Sequence, residues 1–136
     1  LTQQCYWNYV RVLAPAESQL LMLEGAESAV ETAHEGNRIS WGALTVVPPG
    51  EERTVCAIYR LPTTVVRAEG RRQVYRLTVQ KQAGTVDVPL QVRVRLPQGA
   101  DEITEELPWH LLEANKVALE DLLTTDRAYT LSWRAP

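Results

Sequence analysis

The residues that could act as nucleophile or base are few and lie far apart in the sequence. Histidine occurs only at His34 and His110, and neither cysteine, Cys5 or Cys56, has a histidine beside it. Nucleophilic catalysis needs a nucleophile held against a base, and the chain has no GxSxG elbow that would present a serine. We therefore expect no catalytic residues and predict that the chain is not an enzyme.

The acidic residues could in principle supply paired carboxylates or hold a cation. The adjacent pairs are Glu51–Glu52, Glu105–Glu106 and Glu120–Asp121. Solvation of turns and polar strand faces explains them more simply than glycoside hydrolysis does. Oxygen ligands for calcium are conceivable in the acidic stretch Asp101–Glu106, but its spacing matches no EF-hand. No zinc-type Cys/His cluster and no GxxxxGK loop is present, so we predict no metal site and no cofactor.

The two cysteines leave two interpretations open. A Cys5–Cys56 disulfide would close a loop of about 50 residues and stabilise the fold by roughly 4 kcal/mol. Alternatively, both are buried free thiols that pack as small apolar residues.

Composition limits the classes of partner. The chain has 136 residues, a formal net charge of −3 and 45% hydrophobic residues. A nucleic-acid binder would need a basic excess, so we predict no nucleic-acid partner. No apolar run approaches the ~20 residues of a membrane helix. Because Leu1 is not a Met and already lies in a strand-like pattern, we expect a piece of a longer protein, and any targeting signal or membrane anchor would lie outside this chain.

The elements that would position any site are strands. Residues 73–97 alternate apolar and polar side chains in two arms around Gly84, which predicts a long hairpin with one buried face. Tyr75, Leu77 and Val79 would point inward, and Arg76 would point outward. Arg93 and Arg95 would lie outward on the second arm.

Further strands are predicted along the rest of the chain, at residues 4–14, 18–24, 39–47, 53–61, 116–123 and 127–134, with a short one inside 63–72. Residues 26–36 read as a loop or irregular edge strand. Residues 98–115 read as a long irregular connection with one helical turn, because Pro108 interrupts any longer helix. About eight strands punctuated by Pro and Gly predict an all-β fold, an immunoglobulin-like antiparallel β-sandwich forming a single domain over residues 1–136.

The four tryptophans are divided between core and surface by this scheme. Trp7, Trp41 and Trp133 lie in strand patterns that the core explains, and the first strand is apolar on both faces, as central or covered strands are. Trp109 lies in the irregular segment and is the best candidate for exposure. Trp109 with the outward row Arg76, Arg93 and Arg95 forms the predicted contact surface, for an acidic protein or an envelope glycan. A merely solvated face is the other interpretation of the arginines.

Four segments of the chain carry a resemblance to a known family through their order and spacing. They are YWNYVRVLAP from Tyr6, WGALTVVPPGE from Trp41, YRLP from Tyr59 and YRLTVQKQAGT from Tyr75. In this order and spacing the chain resembles the C-terminal region of the bacterial membrane-anchored proteins of domain-of-unknown-function 4012. The resemblance covers about the first two-thirds of the chain and ends at Pro97. It implies an extracytoplasmic domain tethered by an upstream helix, no established active site, and an oxidising compartment that favours the disulfide.

The function expected from these observations is a non-catalytic extracytoplasmic module on the bacterial cell surface that takes part in envelope protein interactions. The alternative is a carbohydrate-binding module that uses Trp109 with the arginine row.

Overall fold

The structure is a computed structural model that describes residues 4–104 and 108–135. The described residues form an all-β protein of antiparallel sheets. The chain divides into two compact units, residues 1–63 and 64–136. A compact unit is not necessarily one that folds by itself. The prediction of a single domain over residues 1–136 therefore stays a prediction.

The first unit contains five strands in two sheets. They are β1 (Tyr6–Pro15), β2 (Gln19–Glu24), β3 (Glu31–Glu35), β4 (Arg38–Val47) and β5 (Cys56–Arg60). The first sheet has the order β1-β4-β3, and β2 pairs with β5 in the second. β1 and β4 pair from Tyr6–Val47 to Pro15–Arg38 without a bulge. β-Branched and aromatic residues dominate both strands, as expected of a pleated, half-buried surface.

The core of the first unit lies on one face of the β1-β4-β3 sheet. Ala14, Ile39 and Trp41 are its buried members, and Leu20 and Leu23 of β2 pack against them. Trp41 is 2% exposed and stacks at a tilt on Tyr59, with ring centroids 5.4 Å apart. The prediction that Trp41 belongs to the core is confirmed.

In its described residues, 64–104 and 108–135, the second unit contains six strands, also in two sheets. They are β6 (Val66–Glu69), β7 (Arg72–Val79), β8 (Val88–Arg95), β9 (His110–Glu113), β10 (Lys116–Leu123) and β11 (Arg127–Arg134). Their orders are β11-β7-β6 and β8-β10-β9. Both sheets contribute to one core around Leu119 and Leu131, which are 0% exposed. The inward direction predicted for Tyr75, Leu77 and Val79 and the core position predicted for Trp133 are confirmed.

The hairpin predicted over residues 73–97 is wrong. Its two arms, β7 and β8, lie in different sheets, where β7 pairs with β11 and β8 pairs with β10. The link between them folds on itself: Lys81 Nζ donates to Thr85 O at 2.6 Å, and Thr85 Oγ1 donates to Gln82 O at 2.7 Å. Lys81 N also donates to Asp126 Oδ1 at 2.8 Å, near the start of β11. A link with these bonds is a compact loop between sheets and not a tight hairpin turn.

Three short strands come from stretches predicted to be wholly or partly irregular. β6 is the short strand expected inside residues 63–72, and β3 agrees with the edge-strand interpretation of residues 26–36. β9 replaces the helical turn expected in residues 98–115. β9 pairs with β10 through a register shift near Lys116. No α-helix occurs in the described ranges, and none of their helical turns is long and apolar enough to cross a membrane.

Candidate interaction surface

The face of the β1-β4-β3 sheet opposite its core carries an unusual set of side chains. In antiparallel sheets directly paired residues point to the same face, so the register identifies this face. We call it the aromatic face; it comprises Trp7, Tyr9, Arg11 and Leu13 of β1, Ser40, Gly42, Leu44 and Val46 of β4, and Glu31, Ala33 and Glu35 of β3.

Tyr9 crosses the central strand of this sheet. A Cβ placed on Gly42 would lie 2.2 Å from Tyr9 Oη and 2.5 Å from its Cζ, so the ring occupies the space above the glycine. The Tyr9 hydroxyl donates to Glu31 Oε2 of β3 at 2.8 Å. That hydrogen bond, more than the slight burial, raises the pKa of Tyr9 above its usual value. Gly42 is therefore the residue that allows an aromatic ring to lie across the sheet.

The side chain of Arg11, two residues after Tyr9 on β1, also extends across β4. Its guanidinium forms a hydrogen-bonded ion pair with Glu35 of β3 and lies 3.3 Å from Ser40 Oγ. Ser40 donates in turn to Glu35 Oε1 at 3.2 Å. The carboxylates of β3 thus draw both polar side chains of β1 over the sheet, away from the outer edge of β1.

The largest apolar side chains of β1 stay accessible, three of them on the aromatic face and Tyr6 on the other face. Trp7 is 66% exposed and Tyr6 62%, while Tyr9 and Leu13 are 46% and 39% exposed. The expectation that Trp7 is a core residue on a covered strand is wrong. The sequence did show large apolar residues on both faces of this strand. Only the tertiary structure shows that the second sheet covers the face with Val12 and Ala14 and leaves the face with Trp7 accessible.

β1, with ten residues, is also the longest edge strand among those that the structure describes, since β8 and β11 have eight residues and the other edge strands six or fewer. Proteins guard sheet edges with short strands, charged side chains, proline or bulges. The edge strands β3, β6 and β9 have five residues or fewer, and β8 carries Pro89, Arg93 and Arg95. β1 has ten residues, no bulge against β4 and no proline before its last residue.

The arginines of the predicted contact surface do not share one sheet. Arg76 lies on β7 and is exposed, but its Nη1 is 2.8 Å from Glu69 Oε1, and this bond lowers the pKa of Glu69. Arg93 and Arg95 are exposed on β8, in the other sheet of the second unit. They face outward beside Ala118 and Lys116 of β10. The outward direction is as predicted, but the continuous row depended on the hairpin.

Trp109 is 3% exposed, so its predicted exposure is wrong. It packs in the core of the second unit, edge-on against Tyr129 with ring centroids 6.4 Å apart. Irregular backbone does not imply an exposed side chain, because an indole can enter a core from a loop. Trp109 therefore cannot stack on a ligand together with the arginines.

Cys5 and Cys56 are free and exposed. The structure has neither the predicted disulfide nor the alternative pair of buried thiols. Cys56 lies opposite Glu24 in the β2–β5 pairing, and Cys5 immediately precedes β1.

In the acidic stretch, Glu102 Oε1 is 2.8 Å from Arg134 Nη1, so an arginine already neutralises this carboxylate. Glu105 and Glu106 lie outside the described residues. No cluster of three potential metal ligands occurs within residues 4–104 and 108–135. Comparisons of the chain with protein-family models, curated proteins and solved structures give no match, so the resemblance to domain-of-unknown-function 4012 proteins remains a prediction.

Proposed function

We propose that the chain is a non-catalytic binding module that takes part in envelope protein interactions through the aromatic face and the edge of β1. The observation that carries this proposal is the exposure of Trp7, Tyr9 and Leu13, which share one face of a single strand. Exposed aromatic residues concentrated in one patch are typical of binding surfaces, because they bury much apolar area at little cost in side-chain entropy.

The setting of this activity is part of the same proposal. The module is an immunoglobulin-like β-sandwich on the bacterial cell surface, in a parent protein whose membrane anchor lies outside this chain. The paired sheets around a common core in the second unit support the sandwich. The resemblance of the segments around Tyr6, Trp41 and Tyr75 supports the extracytoplasmic location.

A retention experiment tests the proposal. The immobilised chain is exposed to an envelope protein extract, and binding is compared between the wild type and the variant Trp7→Ser with Leu13→Ser. The matched control is Leu122→Ser, which removes an equally accessible leucine (46% exposed) from the other unit. We expect loss of bound protein only in the β1 variant. Equal binding by all three proteins would contradict the proposal.

The arginines provide a second comparison on the same extract. Charge reversal of Arg76, Arg93 and Arg95 to Glu removes three exposed cations without touching β1. If this triple variant loses binding and the β1 variant does not, the contact surface lies on the second unit and not on the aromatic face.

Carbohydrate binding is the second candidate function, and the position of Tyr9 favours it. Sugars stack their C–H faces on flat aromatic rings and hydrogen-bond to planar charged groups. Tyr9 lies over Gly42, with Arg11 and two carboxylates nearby. Affinity electrophoresis in gels containing envelope polysaccharides tests this candidate. Retardation of the wild type that Tyr9→Ala abolishes would support it, and unretarded migration in every gel would exclude it.

A further inference from the structure

The outer edge of β1 has the features of a pairing surface for another strand. Among the described strands β1 hydrogen-bonds to β4 alone, so its opposite edge presents backbone donors and acceptors. The side chains of Tyr9 and Arg11 do not guard that edge, because Tyr9 is held by Glu31 and Arg11 by Glu35, both on the far side of β4. A long, flat and apolar edge of this kind pairs readily with a further strand.

The sequence of β1 is self-complementary when two copies run antiparallel about Val10. In this register Trp7 of one copy lies opposite Leu13 of the other, and Tyr9 lies opposite Arg11. Each pair joins two odd-numbered or two even-numbered residues. The two side chains of a pair therefore lie on the same face of the sheet, and the free backbone groups of the two strands point toward each other. The Trp7–Leu13 aromatic–aliphatic pair, which occurs once at each end of the paired segment, is of the kind that stabilises cross-strand contacts, while Tyr9 and Arg11 stay bonded to Glu31 and Glu35.

We propose that β1 pairs with β1 of a second copy, antiparallel and centred on Val10, which joins two β1-β4-β3 sheets into one continuous sheet. The interface is isologous, as in most homodimers. It covers the exposed Trp7 and Leu13 and satisfies the open backbone edge at the same time. This inference rests on the proposed function, because it identifies the protein that the β1 surface contacts.

Cysteine cross-linking tests the register. With Cys5 and Cys56 changed to Ser, the variant Val10→Cys places two thiols directly opposite each other. Antiparallel partners have Cα atoms about 4.5–5.5 Å apart, which a disulfide can bridge. The matched control is Val12→Cys, on the same face and equally half-buried. In the proposed register the two Val12 positions are about 14 Å apart along the strands, beyond disulfide reach.

We expect Val10→Cys to form a disulfide-linked dimer under mild oxidation and Val12→Cys to stay monomeric. Cross-linking of both variants to the same extent, or of neither, would overturn the proposal. Sedimentation provides the second measurement: the cysteine-free chain should sediment at twice the chain mass, and Trp7→Lys, which adds a cation to the edge, should sediment as a monomer with an unchanged circular dichroism spectrum. A monomeric cysteine-free chain would refute the dimer. If such a chain still bound envelope proteins through Trp7 and Leu13, the proposed function would stand with a different partner.

Discussion

The substitution Gly42→Ala tests whether Tyr9 crosses the sheet. The new Cβ would lie 2.2 Å from Tyr9 Oη, and no backbone atom is among its nearest contacts. Because atoms in contact stay about 3.5 Å apart, the ring must lift by more than ~1 Å. A lift of that size would take the 2.8 Å bond between Tyr9 Oη and Glu31 Oε2 to about 4 Å, where no hydrogen bond remains.

The assay is an NMR titration of labelled tyrosines, with Tyr9→Phe used to assign the signal of Tyr9. The hydrogen bond to Glu31 raises the pKa of Tyr9 above 10.0 in the wild type, and the pKa should fall toward that value in Gly42→Ala. An unchanged pKa would show that the ring does not lie over Gly42.

Thermal unfolding of the same variant separates displacement of a side chain from damage to the fold. Gly42 does not have the positive φ that disfavours alanine. Alanine at such a position typically stabilises by about 0.4–1 kcal/mol through the unfolded chain. We expect an unchanged or slightly higher melting temperature. A loss of about 1–3 kcal/mol, as in an overpacked core, would mean that something less flexible than Tyr9 fills the space.

Three further predictions concern the fold. The pKa of Tyr129 is raised to about 12, mainly by burial and secondly by the hydrogen bond to Asp121. The stability that protonated Tyr129 contributes to the fold is therefore complete below pH 10 and is lost as the pH rises toward 12. Tyr129→Phe should reduce this alkaline loss in denaturant titrations, and an identical pH dependence would contradict it. Leu119→Ala should lower the free energy of unfolding by about 2–5 kcal/mol because Leu119 is 0% exposed. Leu122→Ala on the same strand should lower it by under about 0.5 kcal/mol. Equal losses in chemical denaturation would contradict the assignment of Leu119 to the inner face of β10 and Leu122 to its outer face. Both exposed cysteines should react with a thiol reagent in the native protein, and protection of either would contradict their exposure.

Local pattern was sufficient to predict most of the strands. The alternation in residues 116–123 and 127–134 predicted β10 and β11 with the bounds that the structure has. The period of two also predicted which side chains of β7 and β11 enter the core. These features depend only on neighbours along the chain, since alternate side chains of a strand point to opposite faces whatever the strand pairs with.

The pairing of the strands depends on contacts that no local pattern specifies. Residues 73–97 have the alternation of a hairpin, yet β7 pairs with β11 and β8 with β10. Separating the arms also separated Arg76 from Arg93 and Arg95, so the predicted contact row was lost with the hairpin. The sequence around Trp109 predicts an irregular backbone and does not specify that the side chain is buried, because the core that Trp109 enters is formed by residues distant in the chain.

The sequence by itself determined that this is an all-β chain with alternating faces and a large apolar content in its first strand. Only the tertiary structure decided which of those apolar residues are buried. Trp41 is buried because it lies on the face of β4 that packs against Leu20, Leu23 and Tyr59 of the other sheet, and Trp7 is exposed because it lies on the opposite face. A tryptophan has the same local signal in both positions, and the neighbours that cover it or leave it accessible are distant in the sequence.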